Sequence, residues 1–178
     1  MKISINIILI FISTLSFSQR NLEQNIFKKV IDHEIEKGTT RIYIECEKSK
    51  TAFDLKDFKE NVQLEIPENI LKEIEQNGAT SKNENWNSKF ISKLNYPPDI
   101  LKSKKCLTKK NVELLFQKTN KRQNVISISK PIFDDNYENC IVSVTFWKFT
   151  GSAYGYKCFL TKIYGIWTVV VEYAQWMT

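Results

Sequence analysis

The chain has 178 residues, of which 42% are hydrophobic and 26% charged, and its formal net charge is +6. These proportions are ordinary for a globular protein, and the lack of repeats and of Pro- or Gly-rich linkers indicates one domain. The single histidine excludes any metal site that is built from several histidines.

The N-terminus has the pattern of a secretory signal peptide. Lys2 is the only charge ahead of an apolar stretch over residues 5–12, and Ser16-Phe17-Ser18 closes that stretch with small residues one apart. A membrane anchor and a buried helix are the alternatives, but an anchor needs about 20 apolar residues. We therefore predict a signal peptide over residues 1–18. Residues 19–178 then form a single α+β domain, secreted or periplasmic, with no membrane span.

Helical periodicity follows the signal peptide. An apolar stripe at helical spacing runs from Leu22 to Ile35, and Gly38 supplies the stop. Residues 41–46 then alternate as a strand does. Three further helices are predicted: one that begins at Pro67 and ends at Gly78, one within 86–94, and one for which Thr108 is the N-cap.

The last third of the chain has the pattern of β-strands. Four segments alternate or are rich in β-branched and aromatic residues, namely 125–129, 140–149, 156–163 and 166–173. Tyr164-Gly165 fits a two-residue hairpin loop, and a longer turn centred near Ser152 precedes it. The predicted fold class is α+β, with N-terminal helices packed on a C-terminal antiparallel sheet of about four strands.

The four cysteines are predicted to form disulfides because the protein is predicted to be exported. They are Cys46, Cys106, Cys140 and Cys158. An even number of cysteines favours two disulfides, and the alternative is that all four are buried and reduced. A turn near Ser152 places Cys140 opposite Tyr164 or Gly165, well over about 10 Å from Cys158, which exceeds the span of a disulfide. We therefore expect no bond between these two, and each bridge to involve Cys46 or Cys106.

The C-terminal segments also carry a resemblance. Residues 126–133, 140–144, 155–160 and 162–169 resemble an uncharacterised family of small exported bacterial proteins of Bacteroidota type. Similar proteins have an N-terminal helix and a C-terminal β-meander that ends in a GxWxV strand, here Gly165 to Val169. The resemblance implies an exported α+β protein and assigns no activity and no catalytic residue.

Few polar side chains suggest catalysis. His33 lies at the margin of the first apolar stripe without a neighbour in sequence to orient it, which favours a local hydrogen bond over a role as a base. Glu34 falls near the middle of that stripe, where a buried carboxylate needs a raised pKa or a cationic partner. The acidic residues around Asp134 are typical of a turn rather than of a calcium loop. No metal or cofactor is predicted.

Two surface features suggest binding instead. A stretch rich in lysine includes Lys104, Lys105, Lys109 and Lys110 and is opposed only by Glu113. An aromatic hairpin places Trp147, Phe149 and Tyr154 together, and its outer face is exposed unless something covers it. The alternatives are a solvated helix face and a core covered on both sides.

These features favour a non-catalytic binding or interaction module at the cell envelope. Its partner is a protein, a glycan or an anionic envelope surface. We predict no nucleic-acid partner, because export argues against one and only Phe116 lies among the basic residues. The alternative is a small hydrolase that uses buried carboxylates such as Glu34.

Overall fold

The computed structural model describes residues 21–178. The signal peptide predicted over residues 1–18 lies outside the described residues and stays a prediction. Among the described residues, no helix is long and apolar enough to cross a membrane.

Five helices are present in the described chain, and local capping sets their ends. The helices are α1 (21–36), α2 (Leu55–Asn61), α3 (Glu68–Ala79), α4 (Ser88–Lys93) and α5 (Lys109–Thr119). Thr108 caps α5 as predicted, because its side chain accepts a hydrogen bond from the backbone N–H of Asn111. After α1 the chain passes through Gly38, whose positive φ of 87° reverses its direction.

The main sheet contains six strands and is mixed. The α+β class is confirmed. The prediction of about four strands, all antiparallel, is wrong, because the sheet has more strands and includes one parallel pair. The strands are β1 (Ile42–Ile44), β2 (Glu47–Lys48), β3 (Glu84–Asn85), β4 (Asn124–Ile128), β5 (Ile132–Phe133), β6 (Asn139–Trp147), β7 (Ala153–Ile163) and β8 (Ile166–Met177). Their order in the main sheet is β1-β4-β6-β7-β8, with β5 also paired to β6, while β2 and β3 form a separate ribbon. β1 runs parallel to β4, and every other pairing between these strands is antiparallel.

The turn between β6 and β7 corrects the predicted register. Thr150, with a positive φ of 54°, lies at the centre of this turn, and the last pair before it is Trp147 with Ala153. Cys140 therefore pairs with Leu160, not with a residue near Gly165. The predicted distance of well over about 10 Å between Cys140 and Cys158 is wrong. Cys158 pairs with Val142, only two residues along β6 from Cys140, so both cysteines lie on the same face of the sheet.

One disulfide forms, between Cys46 and Cys106, with their Cα atoms 4.9 Å apart. Cys140 and Cys158 are not bonded to each other, as predicted, but both are free and buried. The expectation of two bridges, each pairing Cys46 or Cys106 with one of these two, is therefore wrong. Cys46 and Cys106 meet because the chain before α5 runs alongside β1, with Leu107 N donating to Ile44 O at 2.8 Å.

The two faces of the sheet are covered differently. α1 packs on one face and buries residues such as Phe27 and Ile31 against β1, β4, β6 and β7. α2 and α3 cover the other face only at one end, where Phe58 and Ile74 meet Ile141 of β6. The β1–β4 end of this second face is left to α5.

Candidate functional site

A groove lies under α5 at the β1–β4 end of the second sheet face, and we call it the α5 groove. Its volume is about 690 Å³, within the range of roughly 300–1,000 Å³ that is usual for small-molecule sites. Its lining residues are Glu45, Lys109, Lys110, Glu113, Ser127, Thr145, Trp147 and Phe149. The predicted binding residues Trp147, Phe149, Lys109 and Lys110 thus come together from two distant segments.

Strand register puts the sheet residues of the groove on one face. Ser127 of β4 pairs with Thr145 of β6, and Val125 pairs with Trp147, so all four side chains point the same way. Glu45 follows β1 and joins them, because its backbone N–H donates to Ile126 O at 2.9 Å and continues the parallel ladder. The groove therefore has a rigid base of sheet residues.

α5 covers the groove from above, and the disulfide holds its start in place. The Cys46–Cys106 bond links the residue after Glu45 to the segment immediately before α5. Phe116 of α5 packs on Phe149, with ring centroids 5.3 Å apart. Trp147 and Phe149 are consequently half-buried rather than bare.

Glu45 is the residue that sequence reasoning missed. Its side chain is 4% exposed; one oxygen, Oε2, accepts a hydrogen bond from Trp147 Nε1 at 3.2 Å. The other oxygen, Oε1, is buried and has no hydrogen-bond partner among residues 21–178. The available signal was the alternation of β1, which places Glu45 on the face opposite Ile44, but nothing in the sequence showed that this face is covered.

Charges of both signs surround the groove. Lys109 forms an ion pair with Glu47, with Nζ and Oε2 3.2 Å apart, and it is exposed along with Lys110. Glu113 accepts a hydrogen bond from Gln117 at 3.4 Å. With Glu45, the lining residues contain two carboxylates and two ammonium groups, so the formal charge of the lining is zero.

The other predicted binding residues lie away from the groove. Lys104 and Lys105 are exposed in the loop before Cys106 and do not line it. Tyr154 lies on the opposite face of the sheet, where its ring stacks on that of Phe146 with centroids 4.9 Å apart. The structure therefore divides the predicted set into a group of four and three separate residues.

Glu34 is buried, as its position in the apolar stripe suggested, and it has the expected cationic partner. Its Oε1 accepts hydrogen bonds from Tyr156 OH and from Lys37 Nζ, the latter at 2.8 Å. Its Oε2 accepts from Thr39 Oγ1 at 2.9 Å. Both oxygens are thus engaged within the protein, and the side chain ties α1 to β7.

His33 does have an orienting partner, but one far away in sequence. Its Nε2 lies 2.6 Å from Glu172 Oε1, and Lys37 Nζ donates to the same oxygen at 2.9 Å. Partial burial acts to raise the pKa of Glu172, but the hydrogen bonds from Lys37 and His33 outweigh it and lower this pKa below its usual value. Partial burial also opposes the charge of Lys37, yet its bonds to Glu34 and Glu172 raise its pKa.

The acidic segment after β5 is a turn, as its composition suggested. Asp134 is buried, and its Oδ1 accepts from the backbone N–H groups of Glu138 and Asn139 at 2.8 and 2.9 Å. Its Oδ2 accepts from Asn139 Nδ2 at 2.8 Å. Within residues 21–178, no group of three or more His, Cys, Asp or Glu side chains is placed to hold a metal ion.

Comparison of the chain with protein-family models, curated proteins and solved structures finds no match. The resemblance to small exported Bacteroidota-type proteins therefore stays a prediction.

Proposed function

We propose that the protein is an exported, non-catalytic binding module of the cell envelope, and that the α5 groove holds its ligand. The observation that carries this proposal is the convergence of Trp147, Phe149, Lys109 and Lys110 around one groove. These residues belong to two separate segments, and each segment was predicted to bind for its own reason. Lys109 and Lys110 lie in the lysine-rich stretch, and Trp147 and Phe149 lie in the aromatic hairpin.

The disulfide supports both parts of the proposal. A bond between Cys46 and Cys106 is stable in an oxidising compartment such as the periplasm or the extracellular medium. It also links the segment before α5 to the residue after Glu45, at the side of the groove. A preformed groove reduces the entropic cost of ordering residues on binding.

The alternative of a hydrolase that uses buried carboxylates receives less support. A general acid or base needs an oxygen that is free to reach the substrate. At Glu34 both oxygens accept hydrogen bonds from protein groups. The contacts of His33 and Glu172 likewise link α1 to β8, which fits a role in holding the helix on the sheet.

The test uses purified residues 19–178 and immobilised envelope components: anionic phospholipid vesicles, peptidoglycan and outer-membrane polysaccharide. We expect saturable binding to at least one component, weakened at least about tenfold by Phe149→Ala, which corresponds to about 1.4 kcal/mol. Lys110→Gln should also weaken it. Lys104→Gln is the matched control, since it removes the same charge outside the groove. Two results would contradict the proposal. One is that Phe149→Ala binds as the wild type does and that Lys104→Gln and Lys110→Gln bind equally well. The other is that the wild type binds none of the components.

A further inference from the structure

The two edges of the main sheet differ in how they are covered. β1 forms one edge, and the segment before α5 covers its outer side through bridges at Leu101 and Leu107. β8 forms the other edge, and among residues 21–178 no strand pairs with its outer side. We call this outer side, together with the hairpin end that leads into β8, the β8 edge. A strand of 12 residues that is open along one side is a surface to which another strand can pair.

Exposed apolar side chains are concentrated at the β8 edge. Ten large hydrophobic side chains are exposed in the described chain, and six of them lie there. These six are 40–100% exposed and comprise Ile163, Tyr164, Ile166, Val170, Trp176 and Met177. A contiguous set of exposed apolar side chains marks an interaction surface, whereas single ones need no explanation.

The order of these side chains along the chain is self-complementary. The hairpin group (residues 163–166) lies at one end of β8, the C-terminal group (residues 176–177) lies at the other, and Val170 lies midway. If two copies of β8 pair antiparallel about a twofold axis near Val170, the hairpin group of each copy meets the C-terminal group of the other. A twofold interface has to match itself in this way. The pattern therefore fits a second copy of this chain.

Charge favours the same arrangement. Glu172 is the only charged residue of β8, and within its own chain it contacts His33 and Lys37. Parallel in-register pairing would place the two Glu172 side chains together, whereas antiparallel pairing about Val170 places each near the uncharged Thr168 of the other copy. Lys109 and Lys110 lie at the β1–β4 end of the sheet, so the lysine-rich stretches of the two copies stay apart.

Irregularities in β8 limit how far such pairing extends. The register with β7 shifts around Val170 and again around Ala174, so β8 consists of short regular segments instead of one long flat edge. Edges of this kind resist unlimited strand addition. The other edge of the sheet is already covered. Pairing through β8 therefore stops at two copies.

We propose that the protein forms a twofold-symmetric dimer through the β8 edge, with the two β8 strands antiparallel and Val170 near the axis. A specific interface buries about 800 Å² on each partner. A fully buried aromatic side chain alone contributes about 150–250 Å², so the six exposed side chains provide surface of the required order. The α5 groove lies at the opposite end of the sheet, and the dimer leaves both of its grooves open.

The test is sedimentation velocity of residues 19–178 over a concentration series that reaches millimolar protein. We expect a dimer that dissociates on dilution. Val170→Lys should raise its dissociation constant at least about tenfold, because like charges then face each other near the axis. Leu64→Lys is the matched control and should dimerise as the wild type does, since Leu64 is 41% exposed against 40% for Val170 but lies between α2 and α3.

A second variant guards against misfolding of the first. Met177 is 80% exposed at the end of β8, so Met177→Lys leaves the core untouched and should also weaken the dimer. Circular dichroism and a thermal melt check that all variants fold.

Thiol crosslinking tests the direction of the two strands. The native cysteines do not interfere, because two are bonded to each other and two are buried. A short bismaleimide should join Val170→Cys to itself. It should join Tyr164→Cys to Met177→Cys in an equimolar mixture, and neither of these two variants to itself.

Four results would overturn the proposal. They are a monomer throughout the concentration series, equal dimerisation of Val170→Lys and Leu64→Lys when both are folded, assembly beyond two copies, and crosslinking of Met177→Cys to itself. The last result would show that the strands run parallel. The α5 groove is not part of this interface, so failure of the dimer leaves the proposed function standing, and the reverse also holds.

Discussion

Trp147 Nε1 donates a hydrogen bond to Glu45 Oε2 over 3.2 Å, and this contact joins residues 102 positions apart in the chain. It connects the end of β6 to the residue after β1, across β4. The bond fixes the indole at the α5 groove, while Glu45 Oε1 is buried with no hydrogen-bond partner in the part of the chain that the structure describes. The candidate binding site is built around this pair.

The first prediction concerns the stability of that pair. Trp147→Phe removes the one hydrogen bond that the Glu45 side chain accepts among residues 21–178. We expect the free energy of unfolding to fall by about 1–3 kcal/mol. Glu45→Gln retains an acceptor for the Trp147 hydrogen bond, so we expect the free energy of unfolding to change by less than about 1 kcal/mol. Urea unfolding of both variants measures this. Equal losses in the two would mean that the carboxylate serves the fold and not a ligand.

The second prediction concerns the disulfide. Replacing Cys46 and Cys106 by serine opens a loop of 60 residues, for which chain entropy predicts a loss of up to about 4 kcal/mol. We also expect weaker ligand binding, because the start of α5 is no longer held against β1. Denaturant unfolding and binding assays measure the two effects. A double variant with unchanged stability and affinity would show that the bond does not support the groove.

The third prediction concerns the remaining cysteines. Cys140 and Cys158 are buried, and burial raises the pKa of both thiols. Low accessibility and little thiolate make them unreactive in the folded protein. We expect Ellman's reagent to detect no thiol in the native protein and two in denaturant. Finding none in denaturant would mean that these two cysteines are bonded and that the register of β6 and β7 differs from the one described.

The fourth prediction concerns acid stability. The hydrogen bonds of Glu172 hold its pKa below the 4.5 of an unperturbed glutamate, so the unfolded chain takes up a proton more readily than the folded one. The contribution of Glu172 to the free energy of unfolding is therefore complete above pH 4.5, and it is lost as the pH falls through the lowered pKa of the folded protein. Glu172→Gln should be less stable than the wild type near neutral pH and should approach it in acid.

Urea unfolding at several pH values measures this convergence, with Glu60→Gln as the control. The control should follow the wild type throughout because Glu60 is exposed on α2. If the free energies of unfolding of the wild type and Glu172→Gln differ by the same amount from neutral to acid pH, the predicted role of the carboxylate is wrong.

Features that depend on neighbouring residues could be predicted from the sequence. Thr108 caps α5 because its side chain reaches an N–H only three residues away. Tyr164 and Gly165 form the hairpin loop because both have positive φ, at 52° and 79°. The inward position of Glu34 also followed from helical spacing alone.

Features that depend on distant pairing could not be predicted. Nothing near β1 indicates that it runs parallel to β4, some 80 residues later. That pairing brings Glu45 beside Ser127 and Trp147 and makes the groove. In the same way, the Glu172 partner of His33 is 139 residues away, so the helix alone gave no sign of it. The position of Thr150 at the turn shifted the register enough to bring Cys140 near Cys158.

The most direct measurement is an NMR titration of ¹⁵N-labelled residues 19–178 with a soluble fragment of the envelope component that binds most tightly. We expect the largest shift changes at Ser127, Thr145, the Trp147 indole N–H and Lys110, all of which line the α5 groove. Changes centred instead on Tyr154, which lies on the opposite face of the sheet, or no changes at saturating ligand, would contradict the proposal that the groove holds the ligand.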